Sequence, residues 1–339
     1  MKNVQFISLQ LNPIVIKELR IRMRGIRPYA ILTIFLIALV AAGYGMYHLM
    51  LRQALFGGSM LSFQVGQGLF SGLALCEIFL IVFLAPAMTS GAISSEREQL
   101  TYEMLLATPL RPASILWGKL VAALSYIFLL IFAAVPVFSV VLMFGGIAPW
   151  DLLKVFMLLL ITAITFGTIG LFCSSLLRRT SQATVISYSA ILVLIGSTMM
   201  AGSLWSYFSG PIWQPVPPEL LYLNPFSALI SIVTVTPATG TDFFFGGEVF
   251  GLPLLSQFAA GVVHYGPNGP VVLPIYRATI VFYLILTVAL YWLSTHLVLT
   301  RRRWIPRWSD VTFAVLLALL IGGTWLTRDW WHILPPPSI

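Results

Sequence analysis

Few residues in this chain could do chemistry, and their spacing rules out most kinds of it. The histidines His48, His264, His296 and His332 are scattered, so no H-E-x-x-H or paired-histidine metal spacing occurs. No G-x-S-x-G elbow offers an activated serine. No G-x-x-x-x-G-K-S/T loop offers a cradle for nucleotide phosphates, so the chain cannot hydrolyse ATP by that route. Cys76 and Cys173 both fall inside apolar runs and read as small buried apolar residues. Two sets of charges remain. Glu77 stands inside an apolar run, about a third of the way along it. Glu96, Arg97, Glu98 and Glu103 punctuate a polar stretch between two such runs.

The elements that hold these residues follow from composition. The chain is 59% hydrophobic and 9% charged, with a mean hydropathy of +0.94. A soluble globular chain is about 25% charged. No soluble core could hide this much apolar surface, so the chain belongs in a bilayer. Its aromatic fraction of 13%, with ten tryptophans, suits interfacial belts. The apolar runs place spans at 29–51, 68–93, 120–144, 152–176, 183–207 and 277–300, with Pro86 as a bend in the second. Each can cross a hydrocarbon core of about 30 Å at about 1.5 Å per residue. A seventh run, 311–326, is of marginal length; it spans, lies at the interface or is re-entrant.

Orientation comes from lysine and arginine. With the N-terminus in the cytoplasm, fifteen of the nineteen lie on the cytoplasmic side, leaving Arg52, Lys154, Arg277 and Arg328 opposite. The formal charge of +8 therefore needs no nucleic-acid partner. Glu77 then sits in hydrocarbon, where a carboxylate costs on the order of 3 kcal/mol unless it meets protein, water or a partner. Two readings stand: a packing glutamate, protonated or hydrogen-bonded, or a residue lining a path through the membrane.

The loop 94–119 reads as helical. Ser95 and Glu98 form an S-x-x-E capping box, with a helix starting near Glu96 and its acids in the first turn. Leu100, Met104 and Ala107 recur at helical spacing. Thr108-Pro109 ends that helix, and Pro112 opens another running through Lys119. Such a helix either lies in lipid headgroups or docks a cytosolic partner. The stretch SEREQLTYEMLLATPLRPASILWGKL resembles the first cytoplasmic loop of ABC-2 type transporter permeases, which tends to read E-R-E-x-G-T-x-E-x-L-L-x-T-P-L and then G-K-L. Leu100 stands where that family commonly has glycine.

The resemblance implies a fold and a set of partners. The fold would be all-α and polytopic: a six-span ABC-2 exporter-like bundle (type V) with an N-terminal interfacial helix and a candidate seventh C-terminal span. The loop would be the coupling helix seated on a separate ATPase subunit, through Glu96, Arg97, Glu98, Leu100, Thr101, Glu103, Met104, Thr108 and Pro109. No cofactor would sit on this chain; ATP and Mg would be bound by two copies of the partner ATPase. A second permease protomer, alike or different, would complete the membrane part. The second and fifth spans would line the path, which implicates Glu77 and 183–207. A separate ATPase fits a bacterial or archaeal plasma membrane.

Two flanking segments complete the plan. Within the leader, 1–28, Asn12-Pro13 opens a helix whose Val15, Ile16, Leu19, Met23 and Ile26 form one face. Lys17, Arg20, Arg24 and Arg27 form another, suited to lipid phosphates. It also resembles the N-terminal connecting helix of the same family. The segment 208–276 carries an apolar stretch broken at Asn224-Pro225, which reads as two short helices at the outer leaflet. The rest, 240–274, reads as a small extracytoplasmic cap, and 328–339 as a tail. Two other classes compete with a permease. A membrane enzyme would need a polar catalytic cluster, which is absent from the sequence; a scaffold or assembly factor that docks an ATPase would carry the same loop. Apolar walls suit a hydrophobic or amphipathic substrate.

Overall fold

The computed structural model describes residues 13–23, 25–55, 62–102, 104, 112–208, 216–233, 262–266, 269–298 and 308–332. Arg24, Glu103, Thr108, Pro109 and most of 240–274 lie outside the described residues. The elements are α1 (Pro13–Arg22), α2 (Arg27–Leu55), α3 (Ser62–Thr89), α4 (Ser94–Glu98), α5 (Pro112–Leu142), α6 (Pro149–Leu176) and α7 (Thr180–Phe208). A 3-10 turn (Pro218–Leu221), α8 (Pro225–Val233), β1 (Val263–Gly266), β2 (Gly269–Val272), α9 (Ile275–Val298), α10 (Trp308–Leu326) and α11 (Arg328–Trp331) follow. Six helices among the described residues are long and apolar enough to cross a membrane. The chain is thus an all-α polytopic bundle, with one short antiparallel hairpin, β1–β2, that the sequence reading did not include.

The centre of the bundle is α3 beside α6. They run parallel. At one end Gln67 Nε2 donates to the Gly146 carbonyl at 2.9 Å. At the other, the backbone N–H groups of Ile93 and Ser94 both donate to Ser174 Oγ, at 2.9 and 3.0 Å. The latter is the basic end, where α4 and Arg178-Arg179 lie; the former is the far end. Phe70 packs edge-on against Phe138 of α5, and Phe138 against Phe156 of α6, with centroids 5.7 and 5.5 Å apart. Glycine lets the two central helices close up. A Cβ at Gly170 would lie 3.2 Å from Pro86 Cα and 3.3 Å from its carbonyl, and would also meet Thr89 Oγ1. Backbone cannot move aside cheaply. Gly170→Val should therefore lower stability by about 2–3 kcal/mol, read as thermal unfolding in detergent; an unchanged midpoint would mean that the helices can part.

Three expectations need correction. The first is the capping box, which does not form. The helix starts at Ser94, Ile93 is the residue before it, and no side chain caps it. Ser95 Oγ donates instead to the Gly91 carbonyl, and Glu98 bonds to another helix. The second is the continuous helix through 107: α4 ends at Glu98, Leu100 has a left-handed φ of 57°, and helical geometry resumes at Tyr102. The third is the leader stripe. Val15 is buried, and Met23 packs against the main core, whereas Ile16 and Ile26 are exposed. Gly25, at φ 98°, turns the chain between α1 and α2, so Ile26 cannot share the α1 face. Lys17 and Arg20 are exposed on α1.

The far end is closed by α8. Asn224 Oδ1 accepts the Phe226 N–H at 3.0 Å, a side-chain cap placed by the Asn-Pro pair. Pro225 to Ile232 are all buried. Leu221, Tyr222, Ile230, Val262, Leu273, Ile275 and Ala278 make a second, smaller core there.

Candidate functional site

The polar stretch 94–104 gathers the basic ends of the bundle into one hub. Glu96 Oε1 lies 2.6 Å from Lys119 Nζ in α5, and the same ammonium lies 3.3 Å from Glu18 Oε1 in α1. Lys119 is only 5% exposed, so this lysine joins three elements where water is scarce. Arg97 stacks its guanidinium over the Tyr102 ring at 4.9 Å and donates from Nη1 to the Leu177 carbonyl, past the end of α6. Glu98 grips the first turn of α7: Oε2 accepts from Thr180 Oγ1 at 2.6 Å, and Oε1 from the Thr180 N–H at 3.0 Å. An anionic acceptor at a helix N-terminus satisfies a donor the helix leaves open. Tyr102 Oη donates to the Val298 carbonyl at the last residue of α9. Thr101 donates back to the Glu96 carbonyl from both its N–H and its Oγ1, at 3.0 and 3.3 Å.

Glu96, Arg97 and Glu98 therefore bond back to the bundle. Two large apolar side chains face outward beside them: Leu100 is 84% exposed and Met104 76% exposed. Leu100 also occupies the left-handed region, which costs a residue with a Cβ roughly 1–2 kcal/mol. The expected glycine fits this geometry, since the backbone there is one glycine adopts freely. Leu100→Gly should raise the unfolding midpoint slightly, by about 0.5–1 kcal/mol of stability, while removing the exposed side chain; a lowered midpoint would place Leu100 in a packing role.

Lys119, Thr180, Ser174, Tyr102 and Glu18 are the hub residues that sequence reasoning passed over. Thr180 carried one signal: it follows Arg178-Arg179 at the head of an apolar run, where a helix begins. The others are partners chosen across 23 to 196 positions, and nothing local marks them.

In the membrane layer, an apolar groove of about 660 Å3 lies between α2, α3 and α7, lined by Met46, Phe79, Phe83, Tyr188, Ile195 and Phe226 among others. Tyr188 Oη donates to the Phe83 carbonyl and ties two of its walls. Glu77 is not part of this lining. It is fully buried, and neither carboxyl oxygen has a hydrogen-bond partner among the described residues. Phe70, two turns before it and hence on the same face, points to α5 and α6. Groove and glutamate lie on different faces of α3. Among the described residues no group of three His, Cys, Asp or Glu side chains could hold a metal ion.

A search of the curated proteins returns no match. The family model described as "ABC-2 family transporter protein" matches residues 12–304, which takes in α1, every long helix through α9 and the whole hub. The chain belongs to the ABC-2 family of transporter proteins, as a multi-pass membrane component of an ABC transporter.

Proposed function

We propose that this chain is the permease half-unit of an ATP-driven exporter in a bacterial or archaeal plasma membrane, with its N-terminus in the cytoplasm. Two such chains, alike or different, pair with two separate ATPase subunits, which bind ATP and Mg. The apolar tip of the hub, Leu100 and Met104, docks on the ATPase. Glu96, Arg97 and Glu98 pass its movement to α1, α5, α6 and α7. A hydrophobic or amphipathic substrate uses the apolar groove. The observation that carries this reading is the arrangement of the hub: an exposed apolar tip on a base bonded to the ends of several spans. A helix resting in headgroups would need no such base.

The test is co-purification with a P-loop ATPase when the chain is expressed together with its natural genomic neighbours. The wild-type chain should retain the ATPase in mild detergent, and a Leu100→Asp, Met104→Asp double variant should lose it. Retention by the double variant would overturn the docking assignment. Glu98→Ala separates docking from transmission. It removes both bonds to Thr180 and leaves the tip intact. The ATPase should still co-purify and hydrolyse ATP, while substrate transport per ATP falls several-fold; unchanged transport would remove Glu98 from the relay.

A further inference from the structure

We infer that α10, which lies beyond the residues matched by the family, is a seventh membrane span that joins the basic end of α9 to the far-end cap. The argument rests on which parts of α9 meet which parts of α10. At the basic end, His296 Nε2 lies 3.1 Å from Asp310 Oδ1, two residues from the carbonyl that Tyr102 holds. Further along, the Tyr291 and Phe313 rings pack with centroids 5.7 Å apart. At the far end, Phe282 meets Trp331 edge-on at 5.9 Å. Arg277 Nη1 donates to the Trp330 carbonyl at 3.1 Å, and its guanidinium lies over the Trp330 ring at 5.1 Å. Position falls along α9 as it rises along α10 and α11. α10 and α11 together run antiparallel to α9, from its basic end to its far end.

Length agrees with this placement: Asp310 to Leu326 rises about 24 Å, and α11 continues it toward the far end. From Arg277 to His296 a helix rises about 28 Å, close to the hydrocarbon thickness of about 30 Å. An interfacial helix would touch one end of α9 only, and a re-entrant one would return to the end it left. α10 meets the basic end, and α11, which continues it, meets the far end. Its residues from Val311 to Leu326 include no charge, while Asp310 stands before them and Arg328 and Asp329 after them. Val315, Leu319 and Leu326 stay exposed, as side chains facing lipid should. Trp331 also packs on the far-end core, where Phe282 stacks on Tyr222 at 5.8 Å. The Trp331 indole N–H donates to the Thr324 carbonyl at 2.7 Å, which holds the ring in that position. The α9–α10 pair is thus a strut between the hub and the cap. It places Asp329 on the opposite side of the membrane from Arg178.

Asp329 and Arg178 are both exposed, so single cysteines there report topology directly. Asp329→Cys and Arg178→Cys would each be treated with a membrane-impermeant maleimide in sealed vesicles of either orientation. The parent chain, whose Cys76 and Cys173 lie inside spans, sets the background. The two positions should label from opposite faces, each at least tenfold above the parent chain. Labelling of both from one face would overturn the seventh span. So would an Asp329→Cys that labels from neither face until detergent is added. The outcome is independent of what the protein transports or which ATPase it binds.

Discussion

Lys119→Met should be the most damaging single substitution in the hub, with a loss of about 2–4 kcal/mol in stability. Breaking a buried ion pair from one side costs about 3–5 kcal/mol, because the surviving charge keeps its desolvation penalty without its partner. The figure is reduced here because Glu18 and Glu96 are each about a fifth exposed, at 21% and 20%. Lys119 itself is 5% exposed and serves both acids, and the second oxygen of Glu96 has no hydrogen-bond partner among the described residues. Methionine keeps the length of the side chain and removes the charge. Thermal unfolding in detergent reads the loss, and limited proteolysis near α1 should show it released from α5. The double variant Lys119→Met, Glu96→Gln should recover part of the stability, since it removes one of the orphaned charges. A single variant as stable as the parent would show that water already supports both carboxylates.

Glu77→Met should act in the opposite direction, with a gain of about 1–3 kcal/mol. Both oxygens of Glu77 are buried without a hydrogen-bond partner among the described residues, and an unsatisfied buried polar group costs about that much. Methionine is of similar size and fits irregular apolar space. Because Glu77 lies off the groove, transport by that route should be retained in the variant. Loss of transport with gained stability would return Glu77 to a functional role, with its cost tolerated for that reason. Loss of stability would mean that a bound water or another group satisfies the carboxyl.

Glu77, Glu96 and Glu98 show where reading the sequence stops. Glu77 was legible as costly, because a carboxyl in an apolar run is unusual whatever surrounds it. Its side of the helix was not legible, since α3 presents apolar residues to α2 and α7 and also to α5 and α6. Glu96 and Glu98 were legible as acids at the start of a short helix, yet the predicted S-x-x-E box did not form. The box is a local bond between residues three apart. Glu98 gains two donors from Thr180 instead, one of them the N–H of a helix start, and tertiary packing alone brings α7 within reach.

The sequence by itself determined the bilayer, the six long helices, the break at Asn224-Pro225 and the membership of the loop 94–119 in a known family. Those follow from hydrophobic length, proline chemistry and residue order, all of which are properties of contiguous chain. Only the tertiary structure decided which charges face the bundle and which apolar residues face outward. It also decided that the groove excludes Glu77 and that α10 and α11 together run along α9. Each of these depends on partners distant in sequence, such as Tyr102 with Val298 or Arg277 with Trp330. A helix pattern shows that a face is apolar; only the neighbouring helices determine what covers it.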